Sequence, residues 1–144
     1  MTLISLARVR EKFRILDVGC GPGVSTKLIA EEMPEYNSCV YGVDFSENMI
    51  KLSEKEFKEF VDFNSNYNNY CTVDFNLRNG INIDDDLKKI RENKNGKIVK
   101  FIRGDMNSLP FANEQFEAYL SNLSLQISDD FEKTIREAFR VLKF

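Results

Sequence analysis

Asp17, Asp44, Asp105 and Asn122 each stand at or near the end of a short apolar run, and three glycines crowd directly behind the first of them. The stretch ILDVGCGPGVST, residues 15–26, holds Gly19, Gly21 and Gly23, in a chain of 144 residues with seven glycines. A strand that turns sharply into a helix while its backbone passes close to a ligand needs residues without a Cβ. The spacing is G-x-G-x-G, with Val24 where a dinucleotide fingerprint would place its third glycine. Pro22 stiffens the loop. Asp17 sets a carboxylate ahead of the turn, able to order the loop or to meet a cationic group, and a pyrophosphate would be poorly served by it. Asp44 can accept hydrogen bonds from both hydroxyls of a ribose, which together with the glycine loop implies an adenosine-containing ligand. Asp105 could accept from an adenine amino group, and Asn122 is the fourth element of the set.

For these side chains to converge, their strands must run parallel and end at one edge, the edge where open α/β sheets bind ligands. The sequence has that rhythm, with β-type runs alternating with segments of helical period. RILDV (14–18) leads through the glycines into VSTKLIAEEM, which sets Val24, Leu28 and Ile29 at helical spacing before Pro34 closes it. SCVYGVD (38–44) ends in Asp44, and Ser46 can cap a helix running from Glu47 through Met49, Ile50, Phe57 and Val61. KIVKFIR (97–103) ends in Gly104 and Asp105, and FEAYLSN (116–122) in Ser121 and Asn122. The stretch DDFEKTIREAFRVLKF predicts a helix over 129–143 laid on the sheet through Phe131, Ile135, Ala138, Phe139 and Leu142, with Asp129 and Asp130 in its first turn. Residues 62–96 differ in character, being rich in Asn and carrying the run Asp84, Asp85, Asp86. They read as an inserted surface excursion with a short helix around Leu87 to Ile90, either solvated low-complexity chain or a substrate lid.

Composition narrows the function classes. The chain is 42% hydrophobic and 30% charged, the balance of one globular domain spanning 1–144. A formal net charge of −3 argues against a general nucleic-acid or membrane-surface binder and favours small or neutral partners. Cys20, Cys39 and Cys71 are odd in number and widely spaced, so they indicate neither a disulfide framework nor a zinc site and read as reduced thiols in a cytoplasmic setting. No apolar run has the length of a membrane span, and no targeting segment is evident.

Four stretches in order resemble the class I S-adenosylmethionine-dependent methyltransferases. ILDVGCGPGVST resembles the first motif, VYGVDFSENMI the second, FIRGDMNSLPF the third, and FEAYLSNLSLQ with the REAFRVLK helix the fourth region. The resemblance covers nearly the whole chain outside the Asn-rich segment. It implies a Rossmann-like, doubly wound parallel α/β sheet with strand order 3-2-1-4 and S-adenosylmethionine as cofactor, with no metal. By it, Gly19, Cys20 and Gly21 lie against the methionine part and ribose, and Asp44 holds the ribose hydroxyls. Phe45 and Met49 flank adenine, Asp105 binds its amino group with Met106 alongside, and Asn122 lines the floor near the sulfonium. The implied acceptor is a small molecule, with protein and RNA acceptors also compatible.

The chemistry asks little of side chains beyond alignment and exclusion of water, because the methyl donor is already activated. An acceptor that must lose a proton needs a base, and the chain has no histidine. Where many relatives carry histidine after the fourth motif, Gln126 follows Leu125, and an amide is no base. The acceptor therefore needs no base or takes one from elsewhere, such as a tyrosine or carboxylate, and no catalytic residue is assigned. Competing readings are a non-catalytic cofactor-binding scaffold, a nicotinamide or other nucleotide enzyme, and an aminopropyl transferase. The glycine spacing disfavours the second, and the lack of an acidic polyamine-binding motif disfavours the third. In the resemblance, RVLK leads into further strands that complete a seven-stranded sheet, whereas this sequence stops at Phe144. The expectation is a domain incomplete at its C-terminus, with MTLISLARVREKF as a possible first helix, the strand at 116–122 left as a sheet edge, and no methyl transfer by residues 1–144 alone.

Overall fold

Near-continuous apolar runs such as RILDV and SCVYGVD suit strands buried on both faces, and that is where they lie. The computed structural model describes residues 14–33, 38–63, 71–74, 79–93, 97–122 and 124–144. Residues 1–13, 34–37, which include Pro34, and 123, together with the Asn-rich stretches at 64–70, 75–78 and 94–96, lie outside the described residues. The chain runs β1 (Arg14–Val18), α1 (Val24–Glu32), β2 (Ser38–Asp44), α2 (Glu47–Phe63), β3 (Cys71–Asp74), α3 (Asp84–Asn93), β4 (Lys97–Arg103), β5 (Ala118–Leu120), a 3-10 turn (Leu125–Ile127) and α4 (Phe131–Val141). All strands are parallel, in the order β3-β4-β2-β1-β5.

Alternation along the strands builds two cores. Ile15, Val40, Val99 and Phe101 meet Ile29 of α1 and Ile50 and Phe57 of α2 on one face. Leu16, Tyr41, Val43 and Ile102 meet Ile83, Leu87, Phe116 and Val141 on the other. That second core centres on three aromatic rings in edge-to-face contact, with Tyr41 5.7 Å from Phe111 and from Phe116, and Phe111 4.8 Å from Phe116. Among the described residues no helix is long and apolar enough to cross a membrane.

The four strands expected from sequence keep the order 3-2-1-4, since β4, β2, β1 and β5 are neighbours in that sequence. Three departures have physical causes. The strand expected over 116–122 shortens to Ala118–Leu120, because the backbone of Phe116 pairs instead with the end of α4: its N–H donates to Val141 O at 2.9 Å and its carbonyl accepts from Lys143 N at 2.8 Å. The helix expected over 129–143 spans Phe131–Val141, capped by the Asp130 carboxylate on Lys133 N at 3.0 Å, and it turns a different face inward. Phe131 and Phe139 are 59% and 60% exposed, while Thr134 and Val141 are buried. Polar contacts set that rotation: Thr134 Oγ1 donates to Asn107 Oδ1, and Glu137 accepts from Leu109 N at 2.7 Å.

The third departure is in the segment read as a solvated excursion. It contributes the edge strand β3, paired with β4, and the helix α3, longer than the short helix expected at 87–90. Ile83 and Leu87 are buried in the core, and four polar contacts tie the start of α3 to the sheet and to the loop before β5. Arg14 pairs with Asp84 at 2.7 Å, Gln115 Oε1 accepts from Ile83 N at 2.8 Å, and the buried Asp86 carboxylate accepts from both the Tyr41 hydroxyl and Lys100 Nζ. Removing Asp86 would strand a buried phenol and an ammonium. Asp86→Ala should therefore cost about 2–4 kcal/mol of stability by urea denaturation. Asp85→Ala, one residue away on the exposed face, should change it by no more than about 0.5 kcal/mol. Equal small effects would show that α3 is not docked through this contact.

Candidate functional site

The turn leaving β1 folds back onto the end of β2. Gly19 N and Cys20 N both donate to Val43 O, at 2.7 and 3.1 Å, and Gly23 N closes the turn on Cys20 O at 3.0 Å. Gly19 has φ +72°, and a Cβ there would overlap the side chain of Ser124 arriving from the far side of the site. Ser124 Oγ donates to Val18 O at 2.9 Å and is hydrogen-bonded to Ser121, so the exits of β1 and β5 are laced together. Part of the demand for glycine at position 19 thus comes from a neighbouring side chain.

Asp44 occupies the centre. Its Oδ2 accepts from Gly21 N and its Oδ1 from Ser46 N, each at 2.9 Å. Ser46 caps α2 as expected, its Oγ accepting from Met49 N at 3.3 Å. A carboxylate oxygen can accept more than one hydrogen bond, so Asp44 retains capacity toward the cleft. Asp17 lies beneath, 1% exposed, with its Oδ2 accepting from Thr26 Oγ1 at 2.6 Å. Burial pushes its carboxyl up to about 6, with the Thr26 hydrogen bond opposing and the Asp44 charge adding.

The strand ends enclose a cleft of about 260 Å³ lined by Gly19, Asp44, Phe45, Asp105 and Met106 together with Val18, Val43, Gly104, Asn107, Ile127, Ser128 and Asp129. Asp105 Oδ1 accepts from Asn107 N at 2.8 Å, and its second oxygen has no partner among the described residues. The wall is mixed, with apolar Val18, Val43, Met106 and Ile127 around three acids, Asp44, Asp105 and Asp129, which suits a ligand with a flat apolar part and a few hydroxyl or amino donors.

Two family profiles, each described as "Methyltransferase domain", match residues 15–80 and 64–144, the second covering more than half of the chain. The chain belongs to the class I S-adenosylmethionine-dependent methyltransferase family. The demethylmenaquinone methyltransferase of Listeria welshimeri is 29% identical over 141 residues, which is 97% of this chain and 44% of that protein. The YcgJ protein of Bacillus subtilis shares the fold with a TM-score of 0.64 at 23% identity, over 98% of this chain and 44% of its own. An arsenic(III) S-adenosylmethionine methyltransferase of Chlamydomonas reinhardtii does so with a TM-score of 0.67 at 20% identity, over 92% of this chain and 36% of its own. The chain thus spans under half the length of the curated relatives it matches.

Of the residues that the methyltransferase motifs single out, the fold brings Gly19, Asp44, Phe45, Asp105 and Met106 to the cleft wall. Gly21 is one hydrogen bond away, on Asp44. Asp17 and Cys20 are buried behind the loop, and burial pushes the Cys20 thiol up. Met49 and Asn122 do not line the cleft; Asn122 is exposed beyond β5. Sequence reading missed Asn107, Ile127, Ser128 and Asp129, which reach the cleft from the turn after β4 and the approach to α4. Ser128 and Asp129 immediately precede a capping acid, which was the one available signal. Gln126 is exposed on the 3-10 turn. The Tyr119 phenol, a conceivable base, is pushed up to about 12 by burial and by Glu137, so it stays protonated near neutrality.

The raised Asp17 carboxyl gives a pH signature with a definite sign. The native state binds this proton more tightly than the unfolded chain, so the ionised group subtracts stability as pH rises from about 4 to about 6 and by a constant amount above. Asp17→Asn keeps an acceptor for Thr26 and removes the buried charge. It should be more stable than the parent by about 1–3 kcal/mol at pH 8, with that advantage largely lost at pH 4, in urea denaturation across pH. A difference that does not vary with pH would contradict the assignment.

Proposed function

We propose that the strand-end cleft holds the adenosine part of S-adenosylmethionine and that the protein serves methyl transfer to a small-molecule acceptor. The observation that carries this reading is the placement of Asp44, fixed by two backbone N–H groups with accepting capacity left toward the cleft, between the glycine loop and Asp105. The residues present fit the group. Asp44 would accept from the ribose hydroxyls, the exposed ring of Phe45 and the Met106 side chain would face the base, and the second oxygen of Asp105 would accept from the adenine amino group. A cleft of about 260 Å³ falls just below the roughly 300–1,000 Å³ typical of pockets for whole drug-sized ligands and suits a nucleoside.

When bound, the cofactor supplies a methyl group on a sulfonium, already activated for transfer. The chain's own contribution is then to grip the nucleoside and hold its remainder against the loop at Gly19, where Ser124 closes one side. These 144 residues contain no histidine, and the Tyr119 phenol stays protonated, so any base for the acceptor comes from other groups or the acceptor needs little help in losing a proton. A small acceptor is favoured by the Listeria relative named for demethylmenaquinone and by the net charge of −3, which disfavours polyanionic acceptors.

Two binding measurements test the reading. Asp44→Ala leaves two ribose hydroxyls unsatisfied and should weaken S-adenosylhomocysteine by about tenfold to a thousandfold in calorimetric titration. Unchanged affinity in a folded variant would remove the ribose assignment. The inosine analogue of the same ligand presents a carbonyl where adenine has its amino group, so it should bind far more weakly than the adenosine form, and Asp105→Asn should narrow the gap. Equal binding of both analogues by the parent protein would reduce Asp105 to a turn residue.

A further inference from the structure

The wall of the cleft formed by Phe45 is braced from outside. Phe45 is 62% exposed, so core packing does not dictate where its ring lies. In the β2–β4 register Arg103 stands opposite Asp44, which brings its side chain up beside the turn between β2 and α2. Its guanidinium carbon sits 5.7 Å from the centroid of the Phe45 ring, inside the range of a cation–π contact. Its Nε donates to the Phe45 carbonyl at 3.2 Å, and its Nη1 lies 3.5 Å from the Glu47 carboxylate. Among the described residues Phe45 has no other ring or cation contact. Arg103 itself does not line the cleft, whereas Phe45 does.

We infer that Arg103 is a positioning residue for nucleobase recognition: by holding the ring and the carbonyl of Phe45 together, it sets the aromatic surface that the base packs against. The inference rests on the cleft being the adenosine site. An exposed phenylalanine on a turn samples several rotamers, and a ligand that needs one of them binds more weakly by the fraction of time spent in the others. A guanidinium held over the ring that also hydrogen-bonds the same residue's backbone narrows that choice before the ligand arrives. The Glu47 carboxylate is engaged with Lys51 at 2.8 Å as well as with Arg103 at 3.5 Å, so the lysine holds it more closely than Arg103 does.

The test is a double-mutant cycle on the full chain, read by calorimetric titration with S-adenosylhomocysteine, with urea denaturation confirming that each variant is folded. Arg103→Gln should weaken the ligand three- to tenfold and Phe45→Leu by a similar or larger factor. The double variant should be no weaker than Phe45→Leu alone, because the arginine acts through the ring. Arg103→Lys keeps a cation over the ring and should fall between the parent and Arg103→Gln. Glu47→Gln should leave affinity unchanged. Full additivity of the Arg103 and Phe45 losses, or a Glu47→Gln loss equal to that of Arg103→Gln, would overturn the proposal in favour of a general effect on the turn. A different failure marks the underlying reading: no binding of S-adenosylhomocysteine by the parent, or a Phe45→Leu affinity equal to the parent's while Asp44→Ala binds poorly, would place the base elsewhere and remove the role of Arg103 with it.

Discussion

The carboxylate of Asp44 joins the turn after β1 to the turn into α2. One oxygen takes the N–H of Gly21 in the loop after β1, and the other takes the N–H of Ser46 at the start of α2. The backbone of β2 contributes next to it, with Val43 O accepting from Gly19 and Cys20 and Asp44 O accepting from Gly104 N. Three strand exits are thereby fixed relative to one another before any ligand is present. A charge-assisted hydrogen bond to a backbone N–H is among the stronger local contacts available, and here two of them share one side chain. Preorganisation of this kind lowers the cost of ordering a site on binding.

Two acids under one loop would be a burden if both were buried and ionised. The structure separates them. Asp17 is enclosed, satisfied by Thr26, and driven up to about 6, whereas Asp44 sits at the mouth with backbone donors around it. The family's ligand carries a positive sulfonium, so negative charge near the loop is tolerable where it would repel a pyrophosphate. Asp17 is thereby a support for the loop through Thr26 at the head of α1, and Asp44 ties the same loop to the start of α2 at the cleft wall.

Helix α4 and the segment from 62 to 96 show how polar contacts override an apolar pattern. In α4 the stripe Phe131, Ile135, Phe139 is the most apolar surface of the helix, yet Phe131 and Phe139 face outward, and Phe139 stacks on Phe144 at 5.8 Å. The inward face is held by Thr134, by Glu137 on Leu109 N, and by Arg140, whose guanidinium donates to the carbonyls of Phe111 and Leu109. Arg140 and Glu137 also pair with each other, so these partly buried charges are satisfied on several sides. In the 62–96 segment, a composition dominated by Asn conceals two apolar anchors, Ile83 and Leu87, and one acid, Asp86, whose partner is a tyrosine on β2 far away in sequence.

The local pattern of the chain was enough to give the parallel α/β architecture, the bounds of β1, β2 and β4, the order of the four expected strands and the acids at their ends. Those features follow from short-range rules: apolar runs of strand length, helical spacing between them, glycines where φ is positive, and acids at strand exits. Ser124 against Gly19, Thr26 beneath Asp17, and Arg103 behind Phe45 were decided only when the elements were brought together, as were β3 and the rotation of α4. Each of these depends on which residue of one strand or turn stands opposite which residue of another. Register and long-range polar pairing leave no mark at the spacing of neighbouring residues, so sequence determined where the site would be built and tertiary structure determined what holds each of its walls.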